Sequence, residues 1–305
     1  MKPHRGHDSR PVLVFVLGAL VWASVHALGQ ASLTTTLDAA ASSFVLPLPV
    51  LLAFRVTAAA LVGAVAGGVV LDPIGLFIDT KYFPGSSLKA KRVHIKGLSR
   101  LTTFTVWSWC LIGVYFTVAS AASTMALCGI SLSESSARPW WAVAGLALSW
   151  GLMQVAFSAS VFVTVIVTFV LLPMITKSGI KTDIMMSPRA LLMHNANVVL
   201  MMTELLFGRH TVEVRHVGLT VLWGATYVLF AWYWQRRTGI YFYPFLDHTL
   251  VWWKACGCHL GLVAALCLFH AIGAAASAAL RTGEAPFLYV AVAAYGCVGF
   301  ILRLR

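Results

Sequence analysis

Long apolar runs separated by short polar stretches organise the whole chain. They fall near 11–31, 44–71, 101–128, 141–173, 191–208, 216–235, 250–280 and 285–302. Each is close to or above the roughly 20 residues that a helix needs to cross a hydrocarbon core. A bilayer offers no water to backbone amides, so a spanning segment is a helix or part of a closed barrel. Continuous runs without ten-residue alternation select helices. The pattern predicts an all-α, polytopic transmembrane bundle of about eight spanning helices. The fourth run is longer than one crossing and must tilt, bend or run past the membrane. The second opens with Pro47 and Pro49, so its regular helix starts late.

Composition agrees with this pattern. Of 305 residues, 59% are hydrophobic and 10% charged, more apolar material than one soluble core needs. The net charge of +12 is arranged by loop. Lys2, Arg5 and Arg10 lead the chain; Lys81, Lys89, Lys91, Arg92, Lys96 and Arg100 fill the loop 72–100; Lys177, Lys181 and Arg189 lie near 174–190. Arg236, Arg237, Lys254, Arg303 and Arg305 follow on the same side. The intervening loops hold only Arg138, Arg209, Arg215 and Arg281. Such asymmetry orients eight spans with both termini cytoplasmic, so the basic charge does not call for nucleic acid. The first run reads as an anchor, although its basic lead and the small residues near Ala27 also suit a cleaved signal peptide.

One membrane domain, residues 1–305, accounts for the chain, since the longest loop is 72–100. No inverted repeat of the secondary-transporter kind is visible. Gly63 and Gly67 form a GxxxG pair suited to close helix contact. The stretch LKAKRVHIK at 88–96 serves as a topology signal or touches anionic lipid. Six cysteines lie in or beside the runs with no disulfide or zinc spacing.

Polar groups inside spans are the informative positions. Thr105 lies about one turn inside the cytoplasmic end of the third run, and His194 about one turn inside that end of the fifth. The two can therefore meet at one depth. Asn197 shares a helix face with His194, whereas Glu204 lies roughly 15 Å deeper. The loop 236–248 brings Arg236, Arg237, Asp247 and His248 to the same level as substrate-holding candidates. A hydroxyl, an imidazole and flanking cations below the headgroups suit ester hydrolysis of a lipid, with histidine taking the threonine proton. Blander readings stand beside this one. A membrane threonine often bonds back to its own helix, and Arg55 and Glu204 could each serve helix packing or form part of a path. His194, His248, His259 and His270 show no i, i+4 pair for metal or haem, so no cofactor is expected.

The run HNANVVLMMTE followed by VGLTVLWGATYVLFAWYWQRRTGIYFYPFLDH resembles the androgen-induced family of integral membrane proteins. FTVWSWCLIGVYF at 104–116 resembles the family segment that opens with its reactive threonine, and AFSASVFVTVIVTF at 156–169 echoes the next one. The likeness covers roughly 101–275, leaving 1–100 and 276–305 as additional terminal segments. It departs at Leu191, where the family has a second histidine. The resemblance implies a threonine hydrolase of fatty acid esters of hydroxy fatty acids, with Thr105 as nucleophile and His194 as its partner, in the endoplasmic reticulum or plasma membrane. LLAFRVTAAAL at 51–61 looks more like Rolling stone-type proteins, which implies the alternative of a non-enzymatic cell-fusion or adhesion factor.

Overall fold

Seven apolar helices are long enough to cross a membrane. They are α1 (Arg10–Gly29), α2 (Leu48–Leu71), α3 (Phe104–Leu127), α4 (Trp140–Lys177), α5 (Pro188–Phe207), α6 (Val217–Thr238) and α7 (Trp252–Thr282). The computed structural model describes residues 8–29, 37–43, 45–130, 139–177, 185–282 and 287–302. Lys2, Arg5, Arg138, Lys181, Arg303 and Arg305, which entered the charge pattern, lie outside these residues. The protein is an all-α, multi-pass membrane bundle. The run expected as the eighth crossing forms α8 (Phe287–Ile301), an apolar helix of 15 residues, shorter than the full span expected of it.

Helix boundaries follow local chemistry. Pro47 caps α2 and Pro49 sits in its first turn, where a missing N–H costs nothing. Ser187 caps α5 by accepting from the Ala190 N–H, with Pro188 next to it. The long α4 is not regular along its whole length. Val167–Leu171 form a π-helical turn before the helix resumes at Leu172. Pro173 explains it: proline has no N–H to give and crowds the carbonyl four residues back.

The packing is centred on α4, which touches α3, α5, α6 and α7. Outside these, α2 lies on α3, α1 on α6 and α7, and α8 on α5 and α7. Close approach occurs at glycines other than the GxxxG pair. A Cβ at Gly113 would meet Val62 at 2.7 Å, and one at Gly273 would meet the Phe157 ring. At Gly63 or Gly67 it would meet nothing within 4 Å, so that pair makes no helix contact among the described residues.

Two regions lie outside simple helix packing. The basic loop 72–100 contains an antiparallel hairpin of β1 (Leu76–Asp79) and β2 (Arg92–Ile95), with Leu76 opposite Ile95. It covers the basic end of the bundle. Towards the other end, Arg55 of α2 and Glu204 of α5 form an ion pair with both side chains fully buried. Arg55 Nε donates to Glu204 Oε2 at 3.2 Å, and Nη1 donates to Ser123 at 2.7 Å and to the Ala40 carbonyl at 2.8 Å. The Tyr115 hydroxyl donates to Glu204 at 2.9 Å. The two residues are thus partners within one satisfied network, which answers the desolvation that burying either alone would impose.

Candidate functional site

A cavity of about 580 Å³ opens among the ends of α2, α3, α4 and α5 beneath the hairpin. This is the end of the bundle that carries the basic loop 72–100 and Arg189. Apolar side chains, including Val69, Val106, Val167, Leu171 and Met193, supply much of its wall, and Thr105 and His194 both line it. Residues 89 positions apart in sequence thus line one chamber, which their equal depth permits.

Thr105 reaches this wall because α3 begins one residue earlier. Thr103 is the N-cap, its hydroxyl accepting from the Val106 N–H at 3.4 Å. Thr102 is buried and donates to the Ser99 carbonyl at 2.6 Å. The Tyr243 phenol lies beside Thr105, Thr103 and Phe104 at the start of α3. Burial pushes the Tyr243 hydroxyl above its ordinary pKa, and the polar groups of Thr103, Phe104 and Thr105 oppose that rise. The phenol therefore stays protonated and able to donate at neutral pH. It rests where the first free N–H groups of α3 emerge, a place that favours negative charge.

His194 lies in a second π-helical turn, Leu192–Ala196. The cause is the neighbouring side chain. Asn197 Oδ1 accepts the Val198 N–H at 2.7 Å, the proton that a regular helix would give to the His194 carbonyl. That carbonyl accepts instead from the Thr164 hydroxyl of α4 at 2.6 Å, and Asn197 donates to the Ser160 carbonyl at 3.3 Å. Wide turns of this kind concentrate at functional sites, and here both π turns of the molecule's described residues border the cavity.

Of the residues expected to hold substrate, none lines this chamber. Asn197 is buried behind His194, where it shapes the helix. Arg236 and Arg237 are exposed at the end of α6, with the Arg237 guanidinium 5.9 Å over the Tyr233 ring. Asp247 is fully buried and accepts from Ser86 and from Thr249, whose N–H lies at 2.8 Å and hydroxyl at 2.7 Å. His248 pairs with the Tyr241 hydroxyl at 2.7 Å, and burial pushes its pKa below the usual histidine range. Asp247 and His248 together fasten the loop to its surroundings.

Cations at the chamber come from elsewhere. Arg100 and Arg189 line it and both donate to one oxygen of Asp72, at 2.8 and 3.2 Å. The Arg100 bond holds the Asp72 carboxyl below its ordinary range. This trio joins the end of α2, the turn before α3 and the start of α5. Sequence reading placed Arg100 and Arg189 among the orienting charges and missed Tyr243, although its YPFLDH stretch was in view.

Fold and cavity together define a polytopic helical membrane protein with a polar-edged chamber open to one end of the bundle. Comparison of the chain with protein-family models, curated proteins and solved structures returns no match. The functional reading therefore stands on the site.

Proposed function

We propose that the protein is a membrane-embedded hydrolase of long-chain lipid esters, with Thr105 as nucleophile and His194 as general base. The observation that carries this is the convergence of Thr105, His194 and Tyr243 on one largely apolar chamber. The acyl chain occupies the chamber, which is of the size that binds lipid-like ligands. The Thr105 hydroxyl attacks the ester carbonyl while His194 takes its proton. Tyr243 donates to the developing oxyanion. His194 returns the proton to the departing alkoxide, leaving an acyl-threonine ester. Water, deprotonated by His194, then releases the acid and restores Thr105. Arg100 and Arg189 sit at the chamber as positive charge for an anionic headgroup or product carboxylate.

The test is labelling of the membrane-embedded protein with a fluorophosphonate probe, beside hydrolysis of fatty acid esters of hydroxy fatty acids and of simpler long-chain esters. Wild type is expected to take the label and to cleave ester. Thr105→Ala and His194→Ala are expected to fall to background, and Tyr243→Phe to lose about 100-fold in kcat. An unlabelled, inactive wild type, or full activity in Thr105→Ala, overturns the reading.

A further inference from the structure

Ten arginines lie among the described residues, and seven of them are ion-paired. The other three, Arg92, Arg236 and Arg237, are exposed and belong to the basic end of the bundle. Arg92 opens β2 of the hairpin, and Arg236 and Arg237 end α6. The two places meet. A Cβ at Gly239, the residue that caps α6, would meet Lys91 Nζ at 3.6 Å, and Lys91 directly precedes Arg92. Lys89 and Lys91 are exposed as well and make no ion pair among the described residues. Five cations therefore share one corner, to which the hairpin adds a single carboxylate, Asp79, opposite Arg92.

Water satisfies an exposed cation, so charge alone leaves this corner an orienting signal. Its neighbours point further. The Arg92 guanidinium lies 5.1 Å over the Phe77 ring and that of Arg237 lies 5.9 Å over the Tyr233 ring. Both rings are themselves exposed, by 44% and 57%. His94 stacks on Phe77 at 4.3 Å, and its Nε2 donates to the Ile74 carbonyl at 2.8 Å. That contact sets Ile74, with 74% of its surface exposed, beside the same group. Ile74 comes three residues after the end of α2, and Tyr233 lies within the last two turns of α6. Such positions stand where a spanning helix passes from hydrocarbon to headgroups, the depth at which aromatic rings are favoured. A soluble polyanion matches the charge but leaves the rings and Ile74 in water. A charged lipid surface covers both.

We propose that this corner docks the headgroups of anionic phospholipids in the surrounding leaflet. Arg92, Arg236 and Arg237 present planar forks to the lipid phosphate. Lys89 and Lys91 add positive charge that draws anionic lipid to them. Phe77 and Tyr233 rest at headgroup depth and hold two of the guanidinium groups at that level. Successive residues of a strand face opposite sides, so Leu76, Ile78 and Ile95 point away from Arg92, and they line the large chamber. Headgroups docked on the hairpin therefore lie against the back of the chamber's roof. The proposal stands on charge and exposure and is independent of any role for Thr105.

Native mass spectrometry of the full-length protein in detergent, titrated with phosphatidylglycerol and with phosphatidylcholine of the same chains, tests the site. Wild type is expected to bind phosphatidylglycerol about tenfold or more tightly. Replacing Lys89, Lys91, Arg92, Arg236 and Arg237 together by Gln should abolish that preference. The melting profile should be kept, because all five side chains are exposed. Arg92→Lys with Arg237→Lys, which preserves the charge, should retain most of the preference. Phe77→Ala with Tyr233→Ala should weaken it about threefold. Glycerol phosphate, which carries the charge without chains, should compete only in more than about 100-fold excess. Equal binding of the two lipids by wild type overturns the proposal. A preference that survives in the five-site variant places the lipid elsewhere and overturns it too. Competition by glycerol phosphate at equal concentration makes the corner a site for soluble phosphate, with the same consequence.

Discussion

The carbonyl of His194 has exchanged its helical partner for a threonine on another helix, and Asn197 makes the exchange possible. Replacing Asn197 by Leu returns the Val198 N–H to the helix ladder and turns the imidazole. The expected result is a tenfold or larger drop in fluorophosphonate labelling rate, with the protein still folded by its melting profile. A different histidine reports on pH. Burial, aided by Arg55, pushes His210 down to about 3, against about 6.5 in an unfolded chain. The folded state therefore resists protonation, and this contribution is whole above pH 6.5 and declines as pH falls towards 3. Between pH 7.5 and 5.5 the loss is about 1 kcal/mol. Melting temperatures across that range are expected to fall in wild type and to fall less in His210→Gln. Thr105 and His194 were legible as a pair because depth in a membrane can be counted from helix ends. Tyr243 was not, since nothing in a loop's sequence says which helix terminus it folds back to meet.

At the scale of elements, apolar runs located the helices because lipid leaves the backbone no other arrangement. The length of α4 called for a tilt, a bend or an overrun of the membrane, and Pro173 accounts for the π-helical turn found there. The hairpin within 72–100 escaped notice, since four-residue strands among lysines carry little alternation. Helix contacts escaped as well: at Gly63 and Gly67 of the GxxxG pair an added Cβ would meet nothing within 4 Å among the described residues, while at Gly113 and Gly273 it would meet a partner. Gly113→Ala is expected to destabilise the bundle by about 1–3 kcal/mol through the clash with Val62. Gly67→Ala is expected to be neutral or slightly stabilising. Thermal unfolding of the two variants side by side checks the contrast.

For the whole molecule, the two ends of the bundle do different work. The basic end holds the chamber, the hairpin and the arginines around Asp72; the other holds the fully buried Arg55–Glu204 pair. Breaking that pair leaves one charge unanswered in an apolar interior, so Glu204→Gln is expected to cost about 3–5 kcal/mol. Arg55→Met with Glu204→Met should recover most of it, because an apolar pair of similar volume needs no compensation. Melting of the single and double variants decides the point. Neither charge betrayed its partner in sequence, because 149 residues and two spanning helices separate them.

That separation bears on how the chain is made. While α2 leaves the ribosome, Glu204 does not yet exist, and a lone arginine in a spanning helix costs about 2.5–3.5 kcal/mol at insertion. At 5–20 residues per second, synthesis of the intervening segment takes roughly 7–30 s. During that time α2 either stays beside the insertion machinery or sits shallowly with Arg55 near the headgroups. Chains truncated before residue 204 are expected to insert α2 inefficiently in a glycosylation-mapping assay, and chains extending beyond residue 210 to insert it fully. The last third of the protein would then complete the membrane integration of the first.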